Sequence, residues 1–201
     1  MALTSSDLLK NIPTEEEFNK LHNIIKKYNL NEKNKDLNSI KDKEDFFFLM
    51  SFFNAQEKAN EIEKYLIEEM NCKKIKASLD KGDCVSKDGK YIEIKTSTTN
   101  KNNFLNIRQI RPWQDVDYYL CSFINERNLE YSCYYFLTKQ QMLEEIEKCG
   151  SYTHGTKKAA RLNTNKEYSI SFPVYKDNEI TKRWNTNYRI NKVEVINWET
   201  N

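Results

Sequence analysis

The chain has only 4 glycines and 3 prolines in 201 residues, and nothing in it resembles a glycine-rich loop that cradles phosphates. Use of nucleoside triphosphates is therefore not indicated. Histidine is scarcer still, with His22 and His154 alone. The five cysteines (Cys72, Cys84, Cys121, Cys133 and Cys149) are odd in number and share no close spacing, which supports neither a zinc site nor a disulfide framework. Buried thiols in a reducing cytoplasm are expected. No window approaches the apolar length that spans a bilayer. The segment 1–7 has no basic stretch leading into an apolar run, so neither a membrane partner nor a signal peptide is expected. Excess charge of one sign is also missing. With 32 Lys and Arg against 30 Asp and Glu the net charge is +2, so any nucleic-acid surface must be a local patch. There is no internal repeat and no low-complexity linker, and the length suits one well-cored domain.

Helix and strand signals are clear. Thr14 with Glu17 forms a capping box ahead of Phe18, Leu21, Ile24, Ile25 and Tyr28 at helical spacing. After a solvated run, a longer helix is predicted over about 45–70, with the seam Phe48, Phe52, Ala55, Ala59, Ile62 and Leu66. Its start, Phe46-Phe47-Phe48-Leu49-Met50, is apolar all round and should be buried deepest. A strand over 74–79, a hairpin, and a short helix within 104–115 broken by Pro112 follow. The segments 118–124 and 131–137 are nearly continuous apolar runs, as expected of central strands covered on both faces. Thr138 with Gln141 caps a further helix that stops at Gly150. This order predicts an α/β fold, a central mixed sheet flanked by helices.

The most informative stretch is 81–95. Asp88-Gly89 marks a turn, since Gly takes φ > 0 without cost. Side chains alternate along a strand, so Tyr91, Glu93 and Lys95 share one face while Ile92, Ile94 and Thr96 share the other. A two-residue turn would set Cys84 opposite Glu93 and leave Asp83 on the wrong face. A three-residue loop, Lys87-Asp88-Gly89 with Gly89 at a left-handed bulge position, pairs Ser86 with Lys90 and therefore Asp83 with Glu93. Two carboxylates that close repel unless a cation sits between them, and a hard divalent ion such as Mg²⁺ is the natural solution. Lys95 would then neutralise an anionic centre or orient a water. Ligands, an activated water and positive charge are the parts that phosphodiester hydrolysis needs. The same residues also suit a plain surface hairpin with a cross-strand salt bridge.

Asp83…Glu93-Ile94-Lys95 resembles the signature of the PD-(D/E)xK nuclease superfamily, which includes most type II restriction endonucleases. The resemblance covers roughly residues 44–137, and Gly82 stands where the family often has Pro. It implies a restriction-endonuclease-like αβββαβ core and a metal-dependent endodeoxyribonuclease acting on double-stranded DNA. Asp83 and Glu93 would hold Mg²⁺ and Lys95 would assist the attacking water. It also implies a homodimer, matching a palindrome by two-fold symmetry. On this reading residues 1–201 form a single nuclease domain. Residues 1–43 are a helical extension, 44–149 the catalytic core and 150–201 the DNA-recognition elements. A structure-specific, resolvase-like repair nuclease and a non-catalytic nucleic-acid-binding module are the alternatives.

Several further residues are candidates. In many nucleases of the resembled class a helix Glu reaches the metal, which points to Glu61, with Glu57 behind it. Both also suit a solvated helix face. Arg108 and Arg111 follow the catalytic strand and can meet a scissile-strand phosphate. The competing expectation is a surface helix anchored by Trp113. The polar C-terminal third offers His154, Lys157, Lys158 and Arg161 in one loop, and Arg183 with Asn185 further on. Lys and Arg neutralise phosphates, whereas Arg and Asn also read base edges.

Overall fold

The Thr14 capping box forms as its sequence requires. The Thr14 hydroxyl accepts from Glu17 N at 3.2 Å and the Glu17 carboxylate accepts from Thr14 N at 2.9 Å. Helix α1 (Glu15–Lys27) follows, then α2 (Lys43–Met50), capped by Asp42. The computed structural model describes residues 13–31, 36–76, 80–99, 103–153 and 162–193. They fall into two units, the first reaching Glu61 and including Glu126–Glu130, the second formed by Ile62–Asn125 and residues from Tyr131 onward. In the first unit Phe46, Phe47, Phe48, Leu49 and Met50 are all buried. Lys27 joins α1 to α2 through Asp45 at 2.7 Å.

The single helix expected over 45–70 is two helices. After Met50 the backbone tightens, with Phe52 N bonding to Leu49 O and Phe53 N to Met50 O. Ser51 Oγ also folds back on Phe48 O at 2.7 Å. Asn54 then starts α3 (Ala55–Glu69), its side-chain oxygen accepting from Gln56 N and Glu57 N. An Asn at this position offers a new helix start, which competes with continuation. Ala55 and Ala59 of the predicted seam are exposed, whereas Ile62 and Leu66 are buried.

The second unit is α/β, with a mixed central sheet and helices. Its six strands run in the order β1 (Lys73–Lys74), β2 (Cys84–Val85), β3 (Tyr91–Thr98), β5 (Tyr118–Ile124), β6 (Cys133–Thr138) and β9 (Arg189–Ile190). Strands β3 and β5 are parallel and the other pairs antiparallel. All seven residues of β5 are buried, which accounts for its unbroken apolar sequence. The first strand is shorter than the 74–79 expected, being described only at Lys73–Lys74.

Between β3 and β5 the chain forms strand β4 (Phe104–Ile110), not the short helix expected. Strand β4 belongs to a second, antiparallel sheet in the order β4, β8 (Tyr168–Pro173), β7 (Ser151–Tyr152). Leu105 and Ile107 alternate inward at period two. A bulge then shifts the register before Ile110, with Gln109 at φ 54. The extra residue leaves Arg108 and Gln109 both exposed and returns Ile110 to the core. That core also takes Tyr119, Cys121 and Phe123 of β5, Met142 and Ile146 of α4 (Lys139–Cys149), and Trp184 of α5 (Glu179–Asn187).

Glu145 of α4 is fully buried. Its carboxylate accepts from Arg183 at 2.7 Å, from Trp184 Nε1 at 2.7 Å and from the Tyr188 hydroxyl at 3.2 Å. Burial pushes this carboxyl up, but the Arg183 and Trp184 donors outweigh it and hold it below its ordinary value. Breaking a buried pair leaves an uncompensated charge, so Glu145→Ala is expected to cost about 3–5 kcal/mol. Urea unfolding should show this as a midpoint shift, and an unchanged midpoint would contradict it.

Candidate active site

The hairpin forms with the three-residue loop. Gly89 has φ 78, its N–H bonds to Ser86 O at 3.1 Å, and Ser86 N bonds to Lys90 O at 2.9 Å. Cys84 stands opposite Ile92, and Asp83 N donates to Ile92 O at 2.8 Å. One step beyond, Asp83 comes beside Glu93. Gly82 is required here for a reason the sequence does not display. A Cβ at position 82 would fall on the Ile92 carbonyl oxygen and lie 2.6 Å from its carbon. A Pro ring at this position would meet the same backbone.

Glu93 is buried, and Asp83 and Lys95 beside it are half-buried. Asp83 accepts from Ile94 N at 2.8 Å. Glu93, 5% exposed, has both oxygens held. Lys95 Nζ donates to one at 2.5 Å and Gln114 Nε2 to the other at 2.8 Å. Burial first, then the Glu93 charge, push the Asp83 carboxyl up to about 7, against the Ile94 N–H that pulls it down. In the parallel register Glu93 pairs with Tyr119 and Lys95 with Cys121, so the site shares its sheet face with those two. The buried Gln114 Oε1 and Tyr119 hydroxyl have no hydrogen-bond partner among the described residues. An unsatisfied buried group costs about 1–3 kcal/mol.

The helix carboxylate that acts on Asp83 is Glu63, which also raises its pKa. Glu63 Oε1 lies 2.8 Å from Lys74 Nζ. Glu61 belongs to the first unit, and Glu57 is bonded by Asn54 at 2.6 Å. A signal for Glu63 was present. It stands three, four and seven residues before Leu66, Ile67 and Met70, all buried, and so lies on the inward stripe. Gln114 carries no such signal, because its contact with Glu93 spans 21 residues.

The proposed DNA contacts separate into three groups. Arg108 is exposed on the β4 bulge, whereas Arg111 is tied to Glu167 at 2.8 Å with its side chain 13% exposed. Trp113 is 43% exposed and anchors no helix. Arg183 and Asn185 are turned inward, Arg183 onto Glu145 and Asn185 as acceptor for the Tyr135 hydroxyl at 2.9 Å. Both contacts tie α5 to the rest of the second unit. His154, Lys157, Lys158 and Arg161 lie outside the described residues.

The donor set suits a hard cation held loosely. Among the described residues no three His, Cys, Asp or Glu side chains gather to hold a metal. Two carboxylates still fit Mg²⁺, which keeps several waters and takes one or two carboxylates plus substrate phosphate. Neither a family model nor a curated protein matches the chain. No described helix is long and apolar enough to cross a membrane.

The Asp83 shift has a testable sign. Its carboxyl titrates at 3.8 when unperturbed and at about 7 in the folded chain without metal. The contribution is therefore fully present below the lower value and lost as pH rises through the upper one. In chelator, Asp83→Asn should melt higher than the parent at about pH 8, and the gap should shrink at about pH 5. Thermal melts at the two pH values check this, and a parent more stable than the variant at the higher pH would refute it.

Proposed function

We propose that this protein is a Mg²⁺-dependent endodeoxyribonuclease with a restriction-endonuclease-like core, cutting double-stranded DNA at specific sequences as type II restriction enzymes do. The observation that carries this reading is the placement of Asp83 beside Glu93 across the hairpin, with Lys95 on Glu93. Asp83 is held with a raised pKa, a cost that a purely structural hairpin has no reason to retain. Asp83 and Glu93 would hold the ion. Mg²⁺, when bound, supplies Lewis acidity toward the scissile phosphate and lowers the pKa of a water. Lys95 orients that water and meets the negative charge that develops at phosphorus. Arg108, exposed on its bulge, would meet the DNA backbone. A homodimer would match a palindromic site by two-fold symmetry.

A second reading rests on the same ion pair. If Lys95 does no more than neutralise Glu93, the chain is a nucleic-acid-binding module without turnover. Purified protein incubated with plasmid and phage DNA, with and without Mg²⁺, separates the two. The expected result is a fixed fragment ladder that requires the ion. Glu93→Ala or Lys95→Ala should lower cleavage by at least about 10²-fold while DNA binding persists. Wild-type turnover by either variant would remove the catalytic assignment. A featureless smear, or selective cutting of branched DNA, would favour the nonspecific or resolvase-like alternatives.

A further inference from the structure

Gln114 lies in the turn between β4 and β5 and is 1% exposed. Its Nε2 donates to Glu93 Oε2 at 2.8 Å and to the Lys81 carbonyl at 2.9 Å. Its own carbonyl accepts from Lys139 Nζ at 2.6 Å, and the next residue, Asp115, donates its N–H to Asp80 O at 2.5 Å. The turn is thereby clamped to the first residue of α4 and to the segment leading into Asp83. The orientation of the amide is determined by its partners. Turned over, it would set an oxygen against two acceptors.

We propose that Gln114 is a positioning residue of the active site, holding Glu93 at the angle its ligand role requires and tying it to the strand entry that carries Asp83. This rests on the metal-site reading above. Lys95 holds one Glu93 oxygen with a full positive charge. Gln114 holds the other with a neutral donor, which restricts rotation of the carboxylate without cancelling the charge a cation needs. Groups of this kind behind a ligand commonly set metal affinity. The arrangement leaves Oε1 buried without a partner, a penalty an apolar side chain of similar size would avoid. It is explained if the amide serves Glu93.

The test uses the full chain and Mn²⁺, titrated by the electron paramagnetic resonance of the free ion, with no DNA present. Gln114→Met, nearly the same length but without the donor, should stay folded and bind Mn²⁺ about 10–100-fold more weakly. In a Glu93→Ala background the same change should cost little more, because its target is gone. A folded Gln114→Met protein that binds with the parent's affinity overturns the proposal. If Gln114→Met does not fold, Gln114→Asn replaces it with the same expectation, being one methylene too short to reach Glu93. If the parent itself binds no Mn²⁺, the metal reading fails and the positioning role is decided by unfolding midpoints. Non-additive effects of Gln114→Met and Glu93→Ala then uphold it, and additive effects overturn it.

Discussion

The hydrogen bond from Asp83 N to the Ile92 carbonyl is the contact on which the site depends. It continues the β2–β3 ladder one residue past the strand and brings Asp83 beside Glu93. That carbonyl is also approached by the Cα of Gly82, where no side chain fits. One backbone group therefore accepts the bond that sets the register and demands glycine immediately before the acid. At the other end of the hairpin the left-handed Gly89 closes a loop of odd length. Because side chains alternate, a slip of one residue would send Asp83 to the opposite face and dissolve the carboxylate pair.

Two carboxylates of the second unit show opposite treatments of buried charge. Glu145 is given Arg183, Trp184 and Tyr188 as donors, and its pKa falls. That cluster acts as a structural tie between α4 and α5. Asp83 has one backbone donor and two other carboxylates acting on it, Glu93 and Glu63, and its pKa rises. A fold that only needed stability would not leave such a group unbalanced.

The insertion of β4 between β3 and β5 gives the site its surroundings. By joining a second sheet, β4 covers the face of β5 that carries Tyr119 and Cys121, the same face from which Glu93 and Lys95 project. Ser97 fastens β3 to β4, its hydroxyl accepting from Asn106 N at 2.8 Å. The turn after β4 then carries Gln114 inward to Glu93 and Trp113 outward to solvent.

What could be read along the chain was what local chemistry decides. The capping boxes at Thr14 and Thr138, the central strand Tyr118–Ile124 and the hairpin register all follow from contacts within a few residues or from period-two alternation. The pairing of Asp83 with Glu93 belongs to this class, since loop length alone sets it. The break at Asn54, the strand identity of 104–110 and the inward turn of Arg183 and Asn185 do not. Each was settled by a partner distant in sequence, or by competition between two locally acceptable choices. Arg183 is held by Glu145, 38 residues away. Glu63 and Gln114 joined the site only when α3 and the β4–β5 turn were brought to it. Residue types and spacing set the triplet Asp83, Glu93 and Lys95, while tertiary packing decided which neighbours restrain it, because burial and long-range contacts determine what each charge costs.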